Sequence, residues 1–189
     1  MVVATTEFTS QSTAIPGLIV FDVTDIGDER GWFQEKFHRQ KFVDAGGPSD
    51  FNPVQINVAY NKERGVARGL HAEPWDKYIS VASGRIFVAY VDLRKGPDFG
   101  KVATLEVDKN KAVFIPKGVA NSYQTLSEDV YYIYAVNDHW RAESYGSYPA
   151  VNMADESLKI DWPTALAGAT ISERDRNLPM LAEVTPIEL

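Results

Sequence analysis

The sequence predicts an all-β protein in which antiparallel strands pack as a sandwich or barrel. Short apolar runs recur along the chain, and several alternate with polar residues as the two faces of a strand do. Turn-forming pairs such as Ser83-Gly84 and Gly96-Pro97 separate the runs. A spacing of about 8–12 residues with such turns is typical of sandwiches and barrels. The runs that we predict as strands are 18–23, 32–37, 53–60, 78–83, 85–93, 102–107, 112–116 and 130–136.

The remaining segments predict a loose N-terminal end, one central helix and short C-terminal helices. Residues 1–14 are polar and rich in Thr and Ser, so we expect a flexible segment there. The segment QKFVDAGG (40–47) predicts one short helix that glycine ends. After about Asp155 the pattern is less strand-like and favours short helices. Because 189 residues suit one domain of ordinary size, we expect a single domain over 15–189.

The composition excludes several classes of function. The chain has no cysteine, so we expect no disulfide, thiolate nucleophile, zinc finger or iron–sulfur cluster. Its 19 Lys and Arg residues against 26 Asp and Glu give a formal charge of −7, which argues against nucleic-acid binding. The start has no signal-peptide pattern, and no run reaches the roughly 18 apolar residues of a membrane span. We therefore expect a cytoplasmic protein that binds neither nucleic acid nor membrane.

The usual cofactor and metal motifs are also missing. No GxGxxG follows a strand, and neither GxxxxGK[ST] nor GxSxG occurs. Metal-binding cupins carry an HxH pair, an acid and a later His, whereas here His71 is followed by Ala72-Glu73. The later stretch has Asn121 where the last ligand would stand. Since a metal needs three or four converging donors, we expect the cupin shape without its metal site.

Eight segments carry a family pattern in a fixed order. They are DERGWFQEKF (28–37), PVQIN (53–57), GVARGLHAEPWDKYI (65–79), VDLRKGPDFGK (91–101), FIPKGVANSYQTL (114–126), IYAVNDHW (133–140), IDWP (160–163) and ISERD (171–175). Over about residues 15–183 the chain resembles the dTDP-4-dehydrorhamnose 3,5-epimerases, with RGLHAEPWDKYISVA similar to a streptococcal-type branch. The resemblance implies a cupin-type jelly roll, or double-stranded β-helix, with short C-terminal helices. It also implies a homodimer in which the N-terminal strand region crosses to the partner subunit.

The activity that the resemblance implies is an isomerase reaction on a dTDP-linked 4-keto-6-deoxy sugar. The family inverts C3 and C5 of dTDP-4-dehydro-6-deoxy-D-glucose to give dTDP-4-dehydro-L-rhamnose, for dTDP-L-rhamnose biosynthesis. The hydrogens at C3 and C5 are acidic because each carbanion delocalises into the C4 carbonyl. The ketone is already the electron sink, so we expect no cofactor and no metal.

The resemblance assigns four residues to proton transfer. His71 is the base, because a neutral imidazole titrates near working pH. Asp175 is its orienting carboxylate, with Asp155 as the alternative. Tyr134 is the acid on the opposite sugar face, and Lys77 stabilises the enolate charge. Without the resemblance, a lone His, a Tyr in a strand and a Lys would each more often be structural residues.

The resemblance also assigns a set of substrate-binding residues. Guanidinium groups offer paired donors to a diphosphate, polar side chains line the sugar and base site, and an aromatic ring stacks on thymine. The residues at these positions are Arg30, Arg68 and Arg174 for the diphosphate, Glu35, Gln55, Asn57 and Asn121 for the sugar and base, and Trp140 for the ring. Asn121 replaces a His of many members, and an amide hydrogen-bonds but does not titrate.

Three other functions remain open from the sequence. One is an epimerase that inverts a single centre of a related nucleotide-linked 4-keto sugar. Another is a sugar-nucleotide-binding cupin without turnover, and the last is a metal-dependent cupin. The sequence does not determine the nucleotide base or the order of the two epimerisations. Incubation with the 4-keto sugar nucleotide in D2O separates the first two from a double epimerase.

Overall fold

Two antiparallel sheets form the body of the protein in the computed structural model, which describes residues 6–189. In chain order the strands are β1 (Phe8–Ser12), β2 (Ile19–Val23), β3 (Ile26–Asp28), β4 (Gly31–Phe33), β5 (Gln55–Asn61), β6 (Ala67–His71), β7 (Lys77–Ser83), β8 (Ile86–Asp92), β9 (Val102–Val107), β10 (Lys111–Ile115), β11 (Val119–Thr125) and β12 (Val130–Val136). The larger sheet has the order β1-β2-β10-β7-β12-β5 and the smaller β6-β11-β8-β9, while β3 pairs with β4. The predicted all-β jelly-roll class is confirmed.

The helices are short, and all except the 3-10 helix Ala142–Ser147 lie at the segments where the sequence predicts them. Helix α1 (Arg39–Asp44) begins one residue before the predicted segment 40–47, and Gly46 follows its cap residue with φ of 95°, which favours glycine. The part after Asp155 holds α2 (Glu173–Arg176) and three one-turn 3-10 helices, Glu156–Leu158, Leu166–Gly168 and Leu181–Glu183. A six-residue 3-10 helix, Ala142–Ser147, precedes them. Within residues 6–189, no helix is long and apolar enough to cross a membrane.

An apolar core fills much of the space between the two sheets. Ile79 and Val81 of β7 pack in one cluster with Val88 and Tyr90 of β8, and all four are almost fully buried. The alternation that predicted these strands is the alternation of core and outer faces. Burial of such apolar surface stabilises the fold by about 25 cal/mol per Å². The core leaves part of the inter-sheet space open, and the cavity described below occupies it.

Aromatic side chains join α1 to the outer face of the larger sheet. Phe42 of α1 is fully buried, with its ring centroid 5.0 Å from Phe21, 5.6 Å from Tyr78 and 5.8 Å from Phe114. Phe51 closes the cluster at 5.7 Å from Phe42. Offset and edge contacts of this kind add to the free energy of area burial. The cluster covers the β2–β10–β7 part of the outer face.

We expect Phe42→Ala to lower the free energy of unfolding by about 3–5 kcal/mol, the cost of removing a large buried ring from a core. Chemical denaturation followed by circular dichroism measures this value. Lys62→Ala, at an exposed position, is the control and is expected to change the free energy by less than about 0.5 kcal/mol. A loss below about 1 kcal/mol for Phe42→Ala would show that α1 contributes little to holding the fold.

Three sequence-based expectations need correction. The segment expected to be loose contains β1, which pairs with β2 from Phe8↔Val23 to Ser12↔Ile19. Its side chains are mostly exposed, so main-chain hydrogen bonds form the strand without an apolar pattern. Residues 1–5 of that prediction lie outside the described residues. The strand predicted over 32–37 ends at Phe33, and β3, β6 and β11 were not predicted.

Candidate active site

A cavity of about 480 Å³ opens between the two sheets. Strands β5, β7 and β12 of the larger sheet line one side, β6 and β11 of the smaller sheet line the other, and α2 contributes the C-terminal wall. Nine of the residues that the sequence analysis singled out face it. They are Asn57, Arg68, His71, Lys77, Asn121, Tyr134, Trp140, Arg174 and Asp175.

His71 and Asp175 form a hydrogen-bonded pair across this wall. His71 ends β6, Asp175 lies on α2, and their Nε2 and Oδ1 atoms are 2.7 Å apart. Because an ionised carboxylate only accepts hydrogen bonds, Nε2 carries the proton and the basic lone pair is on Nδ1. The alternative, Asp155, caps a 3-10 helix by accepting from the Ser157 N–H and also accepts from the Leu181 N–H. The structure therefore brings Asp175, and not Asp155, to His71.

The carboxylate of Asp175 is held in its charged form. Burial by itself would raise the pKa of Asp175, but the hydrogen bond and charge of His71 and the N–H of Gly69 outweigh burial. The pKa of Asp175 is therefore lowered from its ordinary value. An ionised Asp175 can hold the imidazole tautomer and stabilise a protonated His71.

Gly69 explains part of the RGLH motif. Its N–H donates to Asp175 Oδ2 over 3.3 Å, and its φ is 120°. A Cβ atom at this position would lie 2.4 Å from Ser122 Cβ and 2.6 Å from the Asn121 carbonyl oxygen. Only glycine lets β6 approach β11 this closely while its N–H points to the carboxylate. The glycine is therefore required by the packing that supports the pair.

Lys77 lies in a second cluster with Glu73, Asn121 and Tyr134. The Lys77 side chain is 6% exposed, and its Nζ is 2.6 Å from Glu73 Oε1 and 3.4 Å from Asn121 Oδ1. The same Nζ lies 5.1 Å from the centroid of the Tyr134 ring, a cation–π distance. Lys77 is thus a buried cation in the cavity wall and not a surface lysine.

Glu73 was not predicted as a site residue. Burial would raise its pKa, but the charge and hydrogen bond of Lys77, the charge of His71 and the Asn121 amide hold the pKa below the usual value. The available signal was its position two residues after His71, since residues two apart in an extended chain face the same side. The acid of a cupin motif also follows its histidine, so the residue type was informative as well.

Three neighbouring tyrosine rings, those of Tyr134, Tyr132 and Tyr123, line the cavity. Tyr132 lies 5.7 Å from Tyr134 and stacks on Tyr123 at 4.4 Å. Burial raises the pKa of Tyr132 well above its ordinary value and also raises that of Tyr123. Both are therefore neutral phenols that shape the cavity. Tyr134 is the more exposed of the two β12 tyrosines that line it.

A polar edge of the cavity joins Gln55, Asn57 and Trp140. Gln55 does not line the cavity itself. Its Nε2 donates to Asn57 Oδ1 over 2.8 Å, and its Oε1 accepts from the main-chain N–H of Trp140 over 3.0 Å. The Trp140 side chain is half exposed. Arg68, whose Nε donates to Asn61 Oδ1 over 3.2 Å, and Arg174 add positive charge to the cavity. This arrangement suits an elongated anionic ligand with a planar ring.

Arg30 and Glu35 lie outside the cavity. The Arg30 side chain is 84% exposed and pairs with Asp28 at 2.5 Å. Glu35 pairs with Lys41 at 2.5 Å and accepts a hydrogen bond from Thr6. The β3–β4 hairpin that precedes Glu35 forms its own small sheet, so these residues do not reach the site of the same chain.

The described part of the chain contains no group of three or more His, Cys, Asp or Glu side chains that could hold a metal ion. The two carboxylates that line the cavity are each paired with one basic side chain, Asp175 with His71 and Glu73 with Lys77. A partly buried imidazole–carboxylate pair and a buried lysine that line one cavity suit acid–base chemistry on a bound ligand. The fold and the cavity together match the class of jelly-roll enzymes.

Comparisons with known proteins identify the family. A family model described as dTDP-4-dehydrorhamnose 3,5-epimerase matches residues 12–183. A Streptococcus pyogenes protein described as "Protein RmlC homolog" is 48% identical, covering 92% of this chain and 89% of that protein. The dTDP-4-dehydrorhamnose 3,5-epimerase of Pseudomonas aeruginosa is 36% identical, covering 86% of this chain and 90% of its own length. RmlC from Streptococcus suis, solved in complex with dTDP-D-xylose, matches with a TM-score of 0.92 and 45% identity, covering 96% and 95% of the two chains.

The chain belongs to the dTDP-4-dehydrorhamnose 3,5-epimerase family. It is accordingly an isomerase, and the resemblance drawn from its motifs is confirmed.

Proposed function

We propose that the protein epimerises dTDP-4-dehydro-6-deoxy-D-glucose at C3 and C5, giving dTDP-4-dehydro-L-rhamnose for dTDP-L-rhamnose biosynthesis. The observation that carries the proposal is the His71–Asp175 pair, 2.7 Å apart in the cavity wall of a member of this family. The dTDP-D-xylose complex of the Streptococcus suis relative supports a dTDP-linked sugar as the ligand. The cytoplasmic location expected from the sequence remains a prediction of this proposal.

The proposed reaction uses two proton transfers at each centre. His71 Nδ1 removes the hydrogen next to the C4 ketone, and Asp175 stabilises the imidazolium that forms. Electron density moves into the C4 carbonyl, where the Lys77 ammonium stabilises the enolate oxygen. Tyr134 then donates a proton to the opposite face of the carbanion, which inverts the centre. The sugar turns or shifts between the two centres, and the proton balance is restored from solvent.

The nucleotide is proposed to bind at the polar edge of the cavity. Arg68 and Arg174 supply charge-assisted hydrogen bonds to the diphosphate. Trp140 stacks on the base. Gln55 and Asn57, which are joined by a hydrogen bond, form the polar edge of the cavity that contacts the base and the sugar. A cavity of about 480 Å³ suits the sugar and part of the diphosphate of such a ligand.

The double epimerisation is tested by NMR of the 4-keto sugar nucleotide incubated with the protein in D2O. We expect deuterium at C3 and C5 and product of the L configuration. Deuterium at a single centre would establish a single-centre epimerase instead. If the nucleotide binds and no solvent deuterium enters the sugar, the protein is a binding module and the proposal is wrong.

Turnover is expected to be unchanged after treatment with a chelator. A loss of turnover that one divalent ion restores would contradict the metal-free mechanism.

The protein is further proposed to act as a homodimer. The outer face of edge strand β5 exposes a row of apolar side chains, with Ile56 70% and Val58 61% exposed. Tyr60 and Tyr131 extend this row at a ring distance of 4.9 Å. An exposed apolar patch on an edge strand is typical of a surface that binds another chain. A second copy would cover it, and the partner's hairpin could bring the residues equivalent to Arg30 and Glu35 to this cavity.

We expect Val58→Asp to convert the dimer to monomer at micromolar concentration, because a charge in the centre of an apolar interface is desolvated without a partner. Light scattering after size exclusion measures the mass. Thr104→Asp, at an exposed position of edge strand β9 in the other sheet, is the matched control and is expected to remain dimeric. A wild-type protein that is monomeric at the same concentration would refute the dimer.

A further inference from the structure

Glu73 is a cavity carboxylate to which the proposed mechanism gives no task. It lies in the short segment between β6 and β7, with its side chain 18% exposed. Its two oxygens meet two different donors: Oε1 lies 2.6 Å from Lys77 Nζ, and Oε2 accepts from Asn121 Nδ2 over 2.9 Å. Glu73 therefore joins the only buried lysine of residues 6–189 to the smaller sheet.

The hydrogen-bond pattern requires a carboxylate at this position. Asn121 Nδ2 also donates to the His71 carbonyl over 2.8 Å, and this fixes which end of the amide faces Glu73. Lys77 and Asn121 thus both present donors. A glutamine at position 73 could accept from one of them but would set its own NH2 group against the other. Only an acceptor-only side chain satisfies both partners at once.

The charge pattern leads to the same residue. The other acidic group near the cavity, Asp175, is occupied by His71 and by the Gly69 N–H. Among the ion pairs of the described residues, the partner of Lys77 is Glu73. A buried ammonium without a counter-charge is costly, so removing the carboxylate would drive the lysine side chain toward solvent. Glu73 holds the cation against the Tyr134 ring, 5.1 Å from its centroid.

We propose that Glu73 is a positioning residue that fixes the Lys77 ammonium beside Tyr134 and, through Asn121, ties it to the main chain of His71. The proposal rests on the proposed function in that Lys77 is taken to stabilise the enolate oxygen. Glu73 acts through Lys77 and does not itself exchange protons with the sugar. Its loss should therefore affect turnover and leave nucleotide binding unchanged.

A double-mutant cycle with Lys77→Met tests this role. Glu73→Gln alone is expected to lower kcat about 10- to 100-fold, the scale of a misplaced catalytic group, with KM and the affinity for dTDP within about twofold of wild type. In the Lys77→Met background the same change is expected to lower kcat by no more than about twofold, because the group that Glu73 positions is gone. Multiplicative losses, or wild-type kcat for Glu73→Gln, would overturn the proposal. Should Glu73→Gln not fold, Glu73→Asp keeps the charge but shortens the reach, and wild-type kcat there would equally overturn it.

A spectroscopic readout does not depend on activity. In protein labelled with ¹⁵N-lysine, a buried, hydrogen-bonded ammonium exchanges its protons slowly and is observable, and Lys77→Met identifies its signal. We expect this signal in wild type and its loss or shift in Glu73→Gln. An identical signal in both proteins would contradict the positioning role. If the signal changes but wild type does not epimerise the 4-keto sugar, the positioning contact stands and the proposed function fails.

Discussion

Replacing His71 by Asn is expected to abolish epimerisation and the entry of deuterium at C3 and C5 together. A positioned base is worth about 10²–10⁴-fold in rate, and here it starts every later step. Asparagine is polar but shorter than histidine, so it cannot replace the Nε2 contact to Asp175, and its amide cannot accept a proton at neutral pH. NMR of the sugar nucleotide in D2O measures exchange and inversion in one experiment.

Asp175→Asn provides a graded comparison for this variant. The imidazole remains, but its partner no longer carries the charge that stabilises the imidazolium, so activity is expected to fall between wild type and His71→Asn. Binding of dTDP, followed by its thermal stabilisation of the folded state, should persist in both variants. Continued deuterium entry at wild-type rate in His71→Asn would mean that another group is the base.

Tyr134→Phe is expected to separate proton exchange from inversion. The base still forms the carbanion, and deuterium can return from the His71 side with the original configuration. Inversion needs the opposite-face donor and should fall by about 10²-fold or more, while exchange falls much less. The ratio of exchange to inversion at each centre is the measurement.

The conservative nature of this change makes its result specific. Phenylalanine keeps the ring against which the Lys77 ammonium lies, so the cation–π contact at 5.1 Å survives the substitution. Tyr132→Phe is the matched control two residues earlier on the same strand face, where a buried neutral phenol should be dispensable for proton donation. If Tyr134→Phe retains full inversion, the donor is elsewhere.

The sequence predicted strands best where apolar residues recur along the run. Strand β12 (Val130–Val136) matches its predicted run, and β8 (Ile86–Asp92), which is buried along most of its length, ends one residue inside each bound of the predicted run 85–93. Strands β6 and β11 were missed because they present polar groups, including Arg68, His71 and Asn121, to the cavity. Their sequences therefore lack the apolar pattern on which strand prediction depends. The polar side chains that prevented the prediction of these strands are the ones that line the cavity.

The candidate site was predictable only in part, and for a different reason. Asp175 lies 104 positions from His71 in sequence, so residue pattern alone could not choose it over Asp155, and the family resemblance was needed. Glu73 had a local signal but no established role to suggest it. Arg30 and Glu35 do not line the cavity of their own chain. A sequence motif does not say which subunit's site its residues serve. Their role stays a prediction that depends on the dimer.

Local opening of the one-turn helix α2 would abolish activity before the rest of the fold is lost. Asp175 stands on this four-residue helix outside both sheets, and Asn152 anchors its end by donating to the Arg176 and Leu178 carbonyls, each over 3.0 Å. Few contacts of this kind need to open for the helix to detach, whereas the sheets unfold cooperatively. Inactivation and global denaturation are then separate events. We expect mild denaturant to abolish turnover reversibly while the circular dichroism of the β-sheets is unchanged. An assay of residual activity would therefore underestimate the fraction of protein that is still folded.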